Sequence, residues 1–304
     1  MNDWRDDAHE NGAAPAAAIG EQPARRFGDG PPVWLITGCS SGFGRAVADA
    51  AIARGDTVVA TARDVAALDD LEHPDADRLL RLRLDLVDQR SIAAAAEAAL
   101  ARFGRLDVLF NNAGIATLGA IEEVGDDLLR QQLEVNLFGP LALTRAVLPA
   151  MRRQGDGHIL QMSSMGGRCA FAGLGAYHAS KWGLEGASVA LAQEVAPFGV
   201  RVTLVEPGDF RTPVLAPGRM AVSAAMPEYG DTVGRAREGI GQLDGHQPGD
   251  PARAAQAILA VVDAEEPPLH LALGTDCYER FQQELEGQLA ELERWSHLTL
   301  STDF

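Results

Sequence analysis

The chain alternates short, continuous runs of apolar, β-favouring residues with longer stretches of helical periodicity. A strand that is apolar at every position is buried on both faces, which is typical of a parallel sheet covered by helices on its two sides. The repeated strand and helix order therefore predicts a doubly wound α/β fold with about seven strands and helices on both faces. The predicted strands are residues 33–37, 57–61, 79–84, 106–110, 158–162, 200–205 and 269–273.

The two ends of this alternating region set the domain boundaries. Residues 1–30 hold much Ala, Gly, Pro, Asp and Glu with few large apolar side chains, so their burial cannot offset the entropy of ordering. We therefore predict a flexible N-terminal extension over 1–30 and a single domain over 31–304. Within that domain, residues 209–248 show weak periodicity. A long insertion of this kind favours a lid over a binding site, and a plain surface loop is the alternative.

A final helical stretch, residues 276–295, carries an apolar stripe at spacings of three and four residues, which places the stripe on one helix face. Such a stripe predicts contact with the core or with another subunit, and we expect a homodimer or homotetramer. The stripe consists of Tyr278, Phe281, Leu285, Leu289 and Leu292.

Charge and cysteine content exclude several classes of protein. The chain has 26 basic and 43 acidic residues, a formal charge of −17, which argues against nucleic-acid binding because phosphate recognition needs a basic face. Cys39, Cys169 and Cys277 are odd in number and far apart, so neither a disulfide framework nor a metal site is expected. An acidic N-terminus and the lack of a long apolar run predict a cytoplasmic protein that does not enter a membrane.

A glycine-rich turn follows the first predicted strand and precedes an Ala-rich helical stretch. Glycines in this position let the backbone approach a pyrophosphate, whose charge is stabilised by the free amides at the start of the following helix. An ordinary tight turn is the alternative, but the strand before it and the helix after it supply the context of a phosphate-binding loop. The expected contacts are Gly38, Ser40, Ser41, Gly42, Phe43 and Gly44.

The end of the second predicted strand bears on the choice of dinucleotide. An acidic residue here would receive the ribose 2′-hydroxyl of NAD, whereas Arg63 suits the 2′-phosphate of NADP. The neighbouring Asp64 argues the other way, and Arg63 pointing into solvent is the alternative. We expect NADP(H) to be favoured over NAD(H).

Tyr177 and Lys181 are four residues apart at the start of a helical stretch, so they lie on one helix face. Lys181 is also the single lysine of a chain whose other basic residues are all arginine. A nearby ammonium group favours the phenolate, which brings a tyrosine towards a pKa useful for proton transfer. A chance pair on the surface is the alternative if the two residues are taken alone.

Several motifs occur together in one order, and with them the chain resembles the short-chain dehydrogenase/reductase family, in its single-domain branch. The resemblance runs from Val33 to about Leu273 and is nearest to members similar to 17β-hydroxysteroid dehydrogenases. It implies a Rossmann fold for the catalytic domain. The motifs are Thr37-Gly38-xxx-Gly42-x-Gly44, Asn111-Asn112-Ala113-Gly114, Asn136, Ser164, Tyr177-xxx-Lys181 and Pro207-Gly208 with Thr212.

The resemblance implies four catalytic positions. Tyr177 would be the general acid/base, and Lys181 would bind the nicotinamide ribose and lower the pKa of the tyrosine. Ser164 would hydrogen-bond the substrate oxygen, and Asn136 would anchor a water molecule in a proton relay. From the residues alone, an Asn within a helical run such as Asn136 is more often a local cap or kink, so its role rests mostly on the resemblance.

The resemblance also implies further cofactor contacts. Asp85 and Leu86 would meet the adenine, whereas Pro207, Gly208 and Thr212 would contact the amide end of the nicotinamide. The Asn111-Asn112-Ala113-Gly114 motif would line the adenosine side and support the centre of the sheet, with Asn112, Ala113 and Gly114 as the cofactor contacts.

These positions predict hydride transfer between the nicotinamide and a ketone or secondary alcohol. An apolar lining drawn from Met165, Phe171 and the 209–248 lid favours a hydrophobic small-molecule substrate, although about half of these side chains are equally explained as core. Two alternatives remain open at this stage. One is a non-redox step such as epimerisation, dehydration or cyclisation on the same fold, and the other is a cofactor-sensing regulatory protein.

Overall fold

The computed structural model describes Phe27 and residues 30–216 and 218–304. Seven parallel strands form the central sheet in the order β3-β2-β1-β4-β6-β7-β9, which confirms the predicted fold. These strands are β1 Val33–Ile36, β2 Thr57–Ala62, β3 Leu79–Arg83, β4 Val108–Asn111, β6 Gly157–Met162, β7 Val200–Pro207 and β9 His270–Leu273. A second, two-stranded parallel ladder pairs β5 Thr117–Leu118 with β8 Ala221–Val222.

Helices connect the strands, and capping residues mark where several of them begin. Asp88 accepts a hydrogen bond from the Arg90 amide before the second helix, and Asp250 caps the seventh, whose first residue is Pro251. The helices are α1 Gly42–Ala53, α2 Gln89–Phe103, α3 Asp126–Leu133, α4 Gly139–Gln154, α5 Gly175–Val195, α6 Arg235–Leu243, α7 Pro251–Asp263 and α8 Thr275–Thr299.

Both faces of the sheet are buried, and β1 shows why its sequence is apolar throughout. Trp34 and Ile36 pack on one face with α1 and α7, while Val33 and Leu35 pack on the other with α2 and α4. Successive side chains of a strand point to opposite faces, so every position of a central strand is a core position.

The predicted N-terminal extension lies outside the described residues except for Phe27 and Gly30. Phe27 is 1% exposed and packs in the core cluster that contains Trp34. Packing against the domain therefore includes Phe27, four residues before the predicted boundary at 31.

Residues 209–248, the predicted lid, contain more regular structure than their weak periodicity indicated. They include β8 and α6, and β8 pairs with β5. An ion pair also connects residues 209–248 to the rest of the domain. The guanidinium of Arg237 lies 2.6 Å from the buried carboxylate of Glu123, which in addition accepts a hydrogen bond from the Met226 amide.

The apolar stripe of α8 divides between core and surface. Phe281 is buried, whereas Tyr278, Leu285, Leu289 and Leu292 are 52–59% exposed in the single chain. The stripe is therefore not a core stripe over most of its length. Among the helices that the structure describes, none has the length and apolar character to span a bilayer.

Candidate active site

The predicted site residues gather along one edge of the sheet. All strands run parallel, so the segments that follow β1, β2, β3, β4, β6 and β7 leave at the same edge. The strand order also reverses between β1 and β4. The chain first places β2 and β3 on one side of β1, and it then returns to place β4 on the other side of β1. Ligands of open α/β sheets bind in the crevice at such a reversal.

The turn after β1 has the backbone of a phosphate-binding loop. Gly38 has a φ of +75°, which favours glycine, and a side chain there would press on Ala113. A side chain on Gly44 would collide with the Asn112 side chain and with the Gly38 carbonyl. Both glycines are therefore required by the packing of this loop against the segment after β4.

The start of α1 is chemically suited to an anion. Ser41 is the N-cap residue, and its hydroxyl makes no capping hydrogen bond, so it and the first amides of the helix are available. Ser40 is exposed beside it, and Gly42 lies against Thr212. The side chain of Phe43 instead packs on the Phe210 ring, with centroids 5.1 Å apart, so only the backbone of Phe43 is free for such a contact.

Arg63 and Asp64, at the carboxyl end of β2, have different roles. The Arg63 side chain is exposed and has no ion-pair partner within the described residues. The carboxylate of Asp64 accepts a hydrogen bond from the Ala66 amide at 3.1 Å and caps a short 3₁₀ turn. The Asp64 carboxylate is therefore used in a local turn, whereas the Arg63 guanidinium has no such partner among the described residues.

The segment after β3 places Asp85 at the edge of the sheet and buries Leu86. The Asp85 amide donates to the Ser91 hydroxyl, and its carboxylate accepts from the Val87 amide at 3.3 Å. Leu86 packs in the core cluster on the α2 side of the sheet, where its Cβ faces Gly139. The Leu86 side chain is thus a core residue, and only its backbone faces the edge.

The Asn111-Asn112-Ala113-Gly114 motif after β4 forms hydrogen bonds to the segment after β1, where the strand order reverses. The Thr37 hydroxyl accepts hydrogen bonds from the amides of Asn112 and Ala113, each at 2.9 Å. The Asn112 side chain donates to the Thr37 carbonyl at 2.8 Å. Asn111 points into the sheet, where its amide donates to Gln161 and Thr144. The expected support for the sheet centre therefore comes from Asn111.

The structure brings Asn136 and Lys181 to the same place. Gly114 lies between them, because a Cβ placed there would be 3.3 Å from the Asn136 Oδ1 and 3.8 Å from the Lys181 Nζ. The Asn136 side chain exchanges two hydrogen bonds with the backbone of Ile115, each at 2.9 Å. Asn136 lies in a π-helical segment, Glu134–Phe138, where the Gly139 amide donates to the Glu134 carbonyl. Asn136 therefore combines a place in an irregular helical turn with a polar contact to the segment after β4.

Ser164, Tyr177 and Lys181 form the centre of the site. The Ser164 side chain lies near the Tyr177 hydroxyl and acts to lower its pKa, and the Ser164 oxygen accepts a hydrogen bond from the Gly166 amide at 3.0 Å. Lys181 is buried, its Nζ lies 5.7 Å from the centroid of the Tyr177 ring, and it donates to the Met162 carbonyl at 2.6 Å. The four expected catalytic residues thus form one cluster.

The ionisation of the pair departs from the expected pattern. Burial raises the pKa of Tyr177, and the Ser164 side chain opposes that shift in part. Burial lowers the pKa of Lys181 to about 8, and the charge of Glu185 acts in the other direction. The lowered tyrosine pKa implied by the resemblance is therefore not a property of this structure, in which the pKa of Tyr177 is raised.

Pro207 and Gly208 end β7 beside the cluster. The Gly208 amide donates to the Leu273 carbonyl, and the Asp209 amide donates to the Asp276 carboxylate at 2.6 Å. Sequence reasoning did not single out Asp209, whose partly buried carboxylate contributes to the raised pKa of Tyr177. Its position directly after the Pro-Gly turn was the available indication.

Two side chains expected to line a substrate pocket are partly buried. Met165 and Phe171 pack against the cluster of Cys169, Cys277 and Phe281 beneath α8. Their place in a substrate pocket stays a prediction, as does a lining from residues 209–248.

Comparison with known proteins agrees with this geometry. The sequence profile described as short chain dehydrogenase matches residues 32–221. The chain is 40% identical over 271 residues to the oxidoreductase BOA17 of Botryotinia fuckeliana, covering 89% of this chain and 98% of that protein. A short-chain dehydrogenase structure from Streptomyces avermitilis superposes with a TM-score of 0.85 at 48% identity, covering 90% of this chain and 100% of that one.

The protein therefore belongs to the short-chain dehydrogenase/reductase family and is an oxidoreductase of that class. Two further solved structures were determined with a dinucleotide. A metagenomic short-chain oxidoreductase in complex with NADP is 30% identical, with a TM-score of 0.61, and covers 80% of this chain and 96% of that one. A 3-ketoacyl-(acyl-carrier-protein) reductase from Brucella melitensis complexed with NADH is 27% identical, with a TM-score of 0.66 and the same coverage.

Proposed function

We propose that the protein is an NADP(H)-dependent oxidoreductase that transfers hydride between the nicotinamide and a ketone or secondary alcohol of a hydrophobic small molecule. The observation that carries this proposal is the cluster of Asn136, Ser164, Tyr177 and Lys181 at the edge of the sheet, next to an anion-binding helix start. When bound, the cofactor supplies or accepts the hydride. The residues of the cluster manage the proton and position the substrate.

The contacts support a distinct role for each residue. The Tyr177 hydroxyl would give its proton to the carbonyl oxygen in reduction and take it back in oxidation. The Ser164 hydroxyl, which lies near that of Tyr177, would hold the same oxygen. The Lys181 ammonium group would hold the ribose, and its positive charge would favour proton loss from Tyr177. Asn136 would anchor the water that joins Lys181 to solvent.

The test is a panel of hydrophobic ketones and secondary alcohols, followed by the absorbance of the reduced nicotinamide with each cofactor. We expect turnover of at least one ketone with NADPH. If the protein binds NADPH but turns over no member of a broad panel, the redox proposal fails and the non-redox alternative is favoured.

The preference for NADP(H) rests on the end of β2. Among the described residues Arg63 has no competing ion pair, and the carboxylate that would repel a 2′-phosphate, that of Asp64, accepts a hydrogen bond from the Ala66 amide. A guanidinium forms strong, charge-assisted hydrogen bonds to phosphate.

Replacing Arg63 with Ala should weaken NADPH binding by about tenfold or more, the typical effect of losing a hydrogen bond to a charged group, and leave NADH binding unchanged. Fluorescence titration of both cofactors measures this. Arg153→Ala is the matched control, because Arg153 is exposed at the end of α4, at the opposite edge of the sheet. Equal affinity of the native protein for the two cofactors would contradict the preference.

We also propose that the chain forms a homodimer or homotetramer, supported by the exposed apolar residues of α8. Light scattering of the purified protein tests this. A stable species of 32.2 kDa, the mass of one chain, would contradict it.

A cytoplasmic location remains part of the proposal. It is supported by Cys39, Cys169 and Cys277, all of which are buried free thiols. Free thiols persist in a reducing compartment.

A further inference from the structure

Three ionisable side chains outside the catalytic cluster meet at one point of the fold. Glu185 lies on α5, one turn after Lys181; Glu206 is near the end of β7; and His270 is the first residue of β9. Each offers a ligand atom, and these atoms all lie within 4.8 Å of one another. Both glutamates are buried, and His270 lies at the surface end of the group. We refer to these three residues as the Glu-Glu-His cluster.

The spacing of the cluster suits a metal ion. The Nδ1 of His270 lies 2.8 Å from the Oε1 of Glu206 and 3.6 Å from the Oε2 of Glu185. Ligands held about 2.0–2.1 Å from a tetrahedral Zn²⁺ are about 3.4 Å from one another. The two measured separations lie on either side of that value, so only small side-chain movements are needed.

Hydrogen bonding leaves part of both carboxylates unused. Ser163 donates to the Oε1 of Glu185, and His270 pairs with the Oε1 of Glu206. The Oε2 atoms of both glutamates are buried and accept no hydrogen bond within the described residues. The Arg168 guanidinium lies 3.6 Å from the Oε2 of Glu206, which is an ion pair beyond hydrogen-bond length.

The two adjoining buried carboxylates carry two negative charges, of which the Arg168 guanidinium balances one. The other must be neutralised by a proton or by a further cation, because an unpaired buried charge is costly. A metal ion would be bound by the deprotonated carboxylates, and its affinity would rise with pH.

The cluster is also accessible. A cavity of about 420 Å³ opens onto Glu185 and His270 between α5 and α8, and Arg168, Trp182 and Phe281 form part of its wall. An ion can therefore enter from solvent, and the cavity has room for a water molecule as a further ligand.

We propose that Glu185, Glu206 and His270 bind a divalent transition-metal ion of the Zn²⁺ type. One imidazole nitrogen and two carboxylate oxygens suit Zn²⁺ or Mn²⁺ better than the all-oxygen sites of Mg²⁺ and Ca²⁺. The ion would link α5, β7 and β9 next to Ser163, the neighbour of the catalytic Ser164, and its role is structural. The competing state is a proton shared by the two carboxylates.

The test is titration of chelator-treated protein with Zn²⁺ at pH 8, followed by calorimetry and by thermal unfolding. We expect about one Zn²⁺ per chain and a rise in Tm that saturates with binding. His270→Ala should weaken binding by about 100-fold or more and remove the rise in Tm. Glu284→Gln is the matched control, because Glu284 lines the same cavity without belonging to the cluster, and it should bind Zn²⁺ as the native protein does.

Arg168→Gln gives a second, independent outcome. Removing a positive charge 3.6 Å from Glu206 should tighten Zn²⁺ binding by about tenfold. Unchanged affinity in this variant would contradict the role of Glu206 as a ligand. Absence of Zn²⁺ binding, or binding that His270→Ala leaves intact, would overturn the proposal and favour the shared proton. None of these readouts depends on enzymatic turnover, so they stand apart from the proposed reaction.

Discussion

Replacing Tyr177 with Phe should reduce kcat by about 10²- to 10⁴-fold, the usual contribution of a positioned general acid/base, while NADP(H) binding stays close to native. The phenyl ring fills the same space, and the missing atom is the hydroxyl oxygen near Ser164. The fold should be unaffected, because the change removes one oxygen and keeps the ring.

Steady-state kinetics with the best ketone of the panel and a cofactor titration measure the two effects separately. Tyr278→Phe is the matched control, because this tyrosine is exposed on α8 and should be replaceable without loss of rate. A Tyr177→Phe variant with native turnover would remove the proposed mechanism but would leave the family assignment intact.

Lys181→Arg keeps the positive charge and should nevertheless lose roughly 100-fold in kcat, in the range of a positioned proton-transfer group. The space around Nζ is small. It is bounded by the Met162 carbonyl at 2.6 Å and by the Tyr177 ring, and it is closed by the Gly114 backbone. A planar guanidinium on a longer side chain cannot occupy this space with the same contacts.

The pH profile provides the second readout for this position. Because burial lowers the pKa of Lys181 to about 8, the ammonium loses its proton as the pH rises through about 8, and kcat should fall there. Residual activity of Lys181→Arg should lack this fall, since a guanidinium remains charged. Lys181→Met, which has a similar length and no charge, separates charge from shape. Native rates in Lys181→Arg would show that the single lysine of the chain is a coincidence.

The strands were predictable because burial on both faces leaves an apolar residue at every position of a strand such as β1. In a parallel sheet covered on both faces, both the even and the odd positions of β1 enter a core, so the strand is apolar throughout its sequence. Residues 209–248 were harder to predict. The helix α6 forms there with no buried residue of its own, and it contains Gly239 and Gly241, which disfavour a helix.

The glycine-rich turn after β1 and the pair of Tyr177 and Lys181 were predictable because each is encoded within a few residues. The raised pKa of Tyr177 was not predictable from the sequence, because it depends on burial and on Asp209, which belongs to another segment of the chain. The Glu-Glu-His cluster is an extreme case. Its members come from three elements that only the folded sheet brings together, and no local spacing of the kind typical of metal sites marks them.

The π-helical segment Glu134–Phe138 limits how the length of this chain can vary. It joins α3 to α4 through one wide turn, which amounts to a single inserted residue in an otherwise regular helix. Deleting one residue there would close the wide turn into a regular α-helix and leave the phase of α3 and α4 unchanged, but it would remove the local backbone that presents Asn136. Asn136 would then lose its two hydrogen bonds to the Ile115 backbone. Substitutions in this turn should therefore be tolerated more readily than any insertion or deletion.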